Sequence, residues 1–309
     1  MSTSYTEDRP RPPHRLGASR TAELMAVQRG LESRHPAEAR LFSDPFATAF
    51  VSPGWRAALA VARVDPARRV IERVYDRIGG PGPRASAVAR TRLIDDLIIE
   101  AAAAAEQVVI LGAGFDVRGW RLPALARSRI FEVDRGPTQA LKRARLQRRG
   151  ALAGPAVTFV PVDFERDELA AALREAGYDE ERRSIFVWEG VTNYLTADAV
   201  EQTLVTIRHL AHPGSTLIFT YVDRAALGPD GAQAFPEATR WLEGVRRRGE
   251  PWTFGLVPSA LGDELARHGW TLASDQSTAE AGERYFPSRH RRERGSALYH
   301  VATATVTGH

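Results

Sequence analysis

Residues 107–122 read Gln-Val-Val-Ile-Leu-Gly-Ala-Gly-Phe-Asp-Val-Arg-Gly-Trp-Arg-Leu, and no other stretch limits the fold as tightly. Val108 to Leu111 form an unbroken apolar run, which suits a strand buried on both faces of a parallel sheet, and the run stops at Gly112 and Gly114. A strand ending in Gly-x-Gly makes a turn that can cradle a nucleotide. Glycine has no Cβ to hold a ligand off the backbone, and it accepts positive φ where the chain reverses. Asp134 ends a second, mostly apolar run, Ile130 to Val133, 22 residues beyond Gly112, where it can accept hydrogen bonds from a ribose diol. Gly112, Ala113, Gly114 and Asp134 are therefore the candidate cofactor site, against the plainer reading of a tight strand-to-helix turn.

The glycine spacing separates two cofactor classes. A dinucleotide fingerprint, Gly-x-Gly-x-x-Gly, brings a helix N-terminus up to a pyrophosphate, but Val117 holds the third place here and the next glycine is Gly119. S-adenosylmethionine carries no phosphate and needs only close backbone approach and a carboxylate for its ribose.

The wider wording, Leu-Gly-Ala-Gly-Phe-Asp-x-Arg-x-Trp-Arg-Leu followed by Phe-Glu-Val-Asp, resembles the leucine carboxyl methyltransferase family, including bacterial members that methylate small-molecule carboxylates. The resemblance runs from about Leu41, in a Leu-Phe-x-Asp-Pro segment, to about Thr305. It implies a class I methyltransferase α/β fold: a Rossmann-like sheet, mostly parallel with an antiparallel last strand, plus N-terminal helices and an inserted lid. It also implies that Arg90 binds the carboxylate of the cofactor's methionine moiety, that Asp163 and Phe164 meet the adenine, and that Glu189 lies near the cofactor.

The residues themselves support this arrangement. Strands and helices alternate after the glycine turn as in a doubly wound sheet: Val157 to Val162 and Ser184 to Trp188 read as strands three and four, with Thr196 capping a helix Asp198 to Leu210. Open parallel sheets bind ligands at the carboxyl ends of their strands, so Gly112, Asp134, Asp163 and Glu189 fall on one rim. Two late strands, Trp270 to Ser274 and Ser296 to Thr305, suggest an antiparallel end. Tyr194 either positions an acceptor or packs in the core. A segment at about 224–257, with Trp241, Trp252 and Phe254, looks like an insertion walling an acceptor pocket, and Tyr221 on the fifth strand joins Trp252 and Phe254 as a candidate substrate contact.

Upstream, residues 1–19 hold Pro10, Pro12 and Pro13 among arginines and read as a disordered tail. Residues 20–83 read as a helical cap, with helices Arg20 to Gly30, Trp55 to Arg63 and Arg69 to Ile78 before a loop Gly79 to Pro83, and residues 84–309 as the cofactor-binding domain. Lys142, Arg143 and Arg145 are expected on a solvated helix face. Arg289 to Arg294 are expected in a solvated loop, or else as an anchor for an acidic acceptor.

Composition bounds the rest. With 43% hydrophobic and 26% charged residues and a formal charge of +4, the balance is that of a globular protein and is too even to demand nucleic acid as a partner. No apolar run approaches the roughly 20 residues of a membrane span, and no signal-peptide core precedes the helices, so a cytoplasmic protein is expected. Zero cysteines exclude disulfides, and no histidine pair has a metal-ligand spacing. The expected activity is methylation of a small acidic acceptor with no metal. A hydroxyl or nitrogen acceptor, a nicotinamide-dependent oxidoreductase, and a non-catalytic cofactor-binding module stay open as alternatives.

Overall fold

A computed structural model describes residues 20–79, 82–152, 156–164 and 166–306. The expected tail, 1–19, lies outside the described residues, as do Gly80 and Pro81 of the expected loop. Four helices come first: α1 (Arg20–Glu32), α2 (Pro53–Val61), α3 (Asp65–Gly79) and α4 (Pro83–Ala101). Asp65 and Pro66, read from sequence as a break, instead open α3, because a proline in the first helical turn gives up an N–H that the helix does not use there. Val27 and Leu31 of α1 are fully buried against Phe50, Leu59, Phe115 and Leu146, which fixes the helical segment to the glycine-turn side of the sheet.

The sheet then builds in βα steps: β1 (Gln107–Leu111), α5 (Arg118–Arg121), β2 (Arg129–Asp134), α6 (Gly136–Gln147), β3 (Val157–Pro161), α7 (Leu169–Glu175), β4 (Ser184–Trp188), α8 (Ala197–Leu210) and β5 (Thr216–Val222). After β5 come α9 (Gly231–Ala234), α10 (Ala238–Arg247), α11 (Leu261–Arg267), β6 (Thr271–Ser277), α12 (Thr278–Tyr285) and β7 (Tyr299–Thr305). Seven strands lie in the order β3-β2-β1-β4-β5-β7-β6; the first five are parallel, and β7 runs antiparallel to both β5 and β6. Each strand alternates between two apolar layers. Val109 and Leu111 face α7, α8 and α11, while Val108 and Ile110 face α4 and α12. Both faces are covered, which is why the central strands read as unbroken apolar runs.

The register carries the functional consequence. Leu111 pairs with Val133 and with Trp188, and Asp134 with Pro161, so the parallel strands end level and present their following residues along one edge. The strand order reverses between β1 and β4, the place where open sheets of this kind leave a crevice.

Two expectations about surface charge are corrected. Lys142 is 1% exposed rather than solvated, because the turn of α6 that carries it lies over β2, where its ammonium meets the buried Glu132 at 2.5 Å. Arg291 is not in a solvated loop either. It binds both oxygens of the fully buried Glu32 carboxylate at 2.8 Å and Glu293 at 2.7 Å, tying the C-terminal region to α1. A charge run reads as solvated by default, and only tertiary pairing shows otherwise.

Candidate active site

One cleft of about 2560 Å³ runs along the rim of strand ends. Single small-ligand pockets usually enclose roughly 300–1,000 Å³, so this one has room for two molecules. Its floor includes Gly112, Ala113, Gly114, Asp134, Asp163, Phe164 and Glu189, and Arg90 joins them from α4, so the eight residues read as a cofactor site are brought together. Gly112 sits at φ +63°, and a Cβ there would stand 2.3 Å from Val191 Cγ2; the position excludes any side chain on both counts. The tight turn also aims the Gly114 N–H at Asp134 Oδ2, 2.5 Å away, while Arg135 N–H donates to Oδ1 at 2.7 Å. Each carboxylate oxygen keeps lone-pair capacity for a ligand hydroxyl. Burial raises Asp134 above the ordinary carboxylate range, and those two backbone donors oppose it.

Asp163 follows β3 on the same edge. Its N–H donates to Asp167 at 2.8 Å and its carbonyl accepts from Arg166 and Asp167, which folds the residues after the strand into a turn on the cleft wall. Phe164 beside it rests partly on the main apolar layer.

Glu189 is the hub of a buried ionic network. Its two oxygens accept from Arg90 Nε at 2.8 Å and Arg118 Nη1 at 2.6 Å, and Arg118 also holds Asp95 and Asp116. Burial alone would raise the Glu189 pKa, but Arg118 and Arg90 bring it down to about 2, so it is an anion at any working pH. Arg90 lies 4.9 Å over the Tyr299 ring, and its Nη2 touches the Met25 sulfur at 3.0 Å; a thioether is a weak acceptor, so much of its donor capacity is unspent. Sequence reasoning quoted Arg118 within the motif but gave it no role, and it missed Tyr299 and Met25 altogether. Those three meet the site only through tertiary packing.

One end of the cleft is walled by Tyr194, Trp241, Trp252 and Tyr299, with Trp252 centred 6.3 Å from Trp241 and 5.8 Å from Tyr299. Thr253 ties this wall to the turn after β4 through its N–H to Asn193 (2.8 Å) and its hydroxyl to Leu195 (3.0 Å). Burial raises the Tyr194 hydroxyl pKa, with Trp252 and Thr21 beside it pulling the other way. α1 closes over the cleft, and the Thr21 hydroxyl donates to Glu250.

Two expected substrate contacts are corrected. Tyr221 is fully buried among the apolar layer, stacked on His300 at 4.9 Å and donating to Asp275 at 2.6 Å, so it does not line the cleft. Alternation along β5 puts it with Leu217 and Phe219 in the apolar layer under α8 and α11. Phe254 also turns from the cleft and packs on the core, one residue beyond Thr253.

A seven-stranded sheet with a reversed last strand, and a crevice that offers a Gly-x-Gly turn with a carboxylate beside it, define a class I S-adenosylmethionine-dependent methyltransferase. Relatives agree. A Frankia alni protein bearing the name "Putative S-adenosyl-L-methionine-dependent methyltransferase" is 36% identical, covering 86% of this chain and 89% of its own. One of the same name from Mycobacterium avium is 31% identical over 82% of this chain and 83% of its own. The chain belongs to the leucine carboxyl methyltransferase family, whose model matches residues 22–208. The nicotinamide and non-catalytic readings are thereby set aside. In fold alone it is similar to a solved "putative methyltransferase" of Thermobifida fusca (TM-score 0.56, 18% identity, 90% of this chain and 98% of that one) and a DUF574 family protein of Streptomyces avermitilis (TM-score 0.56, 15% identity, 94% and 98%). Among the described residues no helix is long and apolar enough to cross a membrane.

Proposed function

We propose that the enzyme methylates a carboxylate oxygen of a small acidic acceptor, and one observation carries the choice of acceptor chemistry. No histidine or lysine is among the described residues lining the cleft, Glu189 is spent on Arg90 and Arg118, Glu250 accepts from Thr21, and the Asp134 oxygens hold backbone donors. No imidazole or amine there stands ready to take a proton at neutral pH, and the remaining carboxylates of the lining, Asp116, Asp163 and Asp167, belong to the Arg118 network and to the turn after β3. A carboxylate acceptor with an ordinary pKa near ~4 needs no such group, whereas a phenol near ~10 does.

The residues divide the work as follows. Asp134 accepts the ribose hydroxyls, Asp163 accepts from the adenine amino group beside Phe164, and Gly112 to Gly114 let the backbone approach. Arg90, oriented by Glu189, holds the α-carboxylate of the methionine moiety. S-adenosylmethionine supplies an electrophilic methyl group on a sulfonium. Tyr194 and Trp252 position the acceptor in line with that methyl, and the helices of 20–83 with the 224–257 segment roof the cleft and exclude water, so alignment supplies much of the rate. The test is a panel of carboxylic acids, phenols and amines incubated with donor and enzyme and read by mass spectrometry. Methyl esters from the acids are expected, and methylation confined to phenols or amines would sink the reading.

A further inference from the structure

The side of the cleft formed by α3 and the end of α10 carries two features that neither the fold nor the cofactor site uses. Val70, Val74 and Ile78 recur at four-residue steps on α3, so they form one stripe, and all three line the cleft with Ile71 and Tyr75. They are 54%, 51% and 79% exposed. A contiguous apolar strip continuous with a cleft marks a surface that a ligand covers.

The second feature is Arg248, the residue that caps the C-terminus of α10. Its Nε is buried with no hydrogen-bond partner, and among the described residues no carboxylate pairs with it, whereas its neighbour Arg247 has Glu243. Its guanidinium folds back over Gly244, which lines the cleft with it. Tyr75 lies nearby. Burial pushes the Tyr75 hydroxyl up to about 12, with Arg248 among the groups opposing that rise, so the phenol stays a donor at neutral pH. It already accepts from Gln28 Nε2 at 2.9 Å, which leaves its own proton to give. A half-buried cation and a spare O–H in one wall make a seat for a single anion.

We propose that Arg248 and Tyr75 dock the carboxylate of the acceptor and that the α3 stripe carries its tail, so that the acceptor is an amphipathic monocarboxylic acid with an extended apolar chain. Of the α10-side arginines that line this wall, Arg240, Arg246 and Arg247 are exposed and Arg248 is half-buried, so the desolvated seat matches one carboxylate. Held by one oxygen, the carboxylate attacks with the other: a new C–O bond forms to the methyl carbon as the C–S bond breaks, its electron pair stays on sulfur, and no proton moves. The assignment rests on the carboxyl reading above and adds the anchor and the chain to it.

Calorimetry on protein loaded with S-adenosylhomocysteine, titrated with straight-chain acids of increasing length and the matching alcohols, tests it without turnover. Kd for the acids should fall about two- to four-fold per methylene until the stripe is covered, with the alcohols at least about tenfold weaker. Arg248→Met should weaken acids about tenfold or more while S-adenosylhomocysteine affinity holds, and Arg248→Lys should restore part of the loss. Val74→Gln with Ile78→Gln, at exposed sites where folding is spared, should flatten the length dependence. A flat profile in the unmodified protein overturns the proposal. So does an Arg248→Met variant that loosens S-adenosylhomocysteine instead of the acids, or a stripe variant that alters only self-association in sedimentation. Acids that bind with the expected profile yet yield no ester would sink the carboxyl reading and leave the docking site standing.

Discussion

Asp134 is oriented by the chain itself, since the Gly114 and Arg135 amides fix both of its oxygens. Asp134→Ala should weaken S-adenosylhomocysteine by roughly ten- to hundred-fold in calorimetry, the worth of a charged hydrogen bond of about 1.5–3 kcal/mol. Affinity equal to the unmodified protein would place the ribose elsewhere. Arg90→Ala should weaken S-adenosylmethionine more than its decarboxylated analogue, because only the former loses an ion pair; equal losses would leave Arg90 a purely structural partner of Glu189. At this scale the shared rim was legible, since Gly112, Asp163 and Glu189 follow strands, Asp134 ends one, and strands announce themselves. Lys142 and Tyr221 were not, because whether a polar side chain is buried depends on what packs over it, and no local pattern states that.

Elements were legible where capping or apolar periodicity is strong. Thr196 caps α8 as its position suggests, its hydroxyl accepting from the Ala199 N–H. α12 went unread although Ser277 and Glu280 form a capping box at its start, a signal of the Ser-x-x-Glu kind that the sequence does print. Its short length and its place between two antiparallel strands hid it. The pairing of Arg291 with Glu32 is the link between α1 and the C-terminal region that sequence could not supply. Arg291→Met should lower stability by on the order of 3–5 kcal/mol, since it strands a fully buried carboxylate. Thermal unfolding checks this; a melting temperature within a degree or two of the original would show that Glu32 finds another partner.

Across the whole molecule, folding and catalysis answer to pH differently. Glu189 has a folded pKa of about 2 against an ordinary 4.5, so the stability it lends is complete above 4.5 and is lost as pH falls from there towards 2. Unfolding should therefore become easier over that acidic window, and a melting temperature flat between pH 4.5 and 2.5 would contradict the network as described. Catalysis should not share the dependence: with an acceptor already ionised and the cofactor contacts set, kcat should change little from about pH 6 to 8. A rate that climbs steadily across that range would indicate a proton leaving the acceptor. The most direct measurement follows the transferred group itself. Product made with a labelled methyl donor is treated with mild alkali; a carboxylate acceptor predicts release of the label as methanol, and a label that stays on the product would contradict carboxyl methylation.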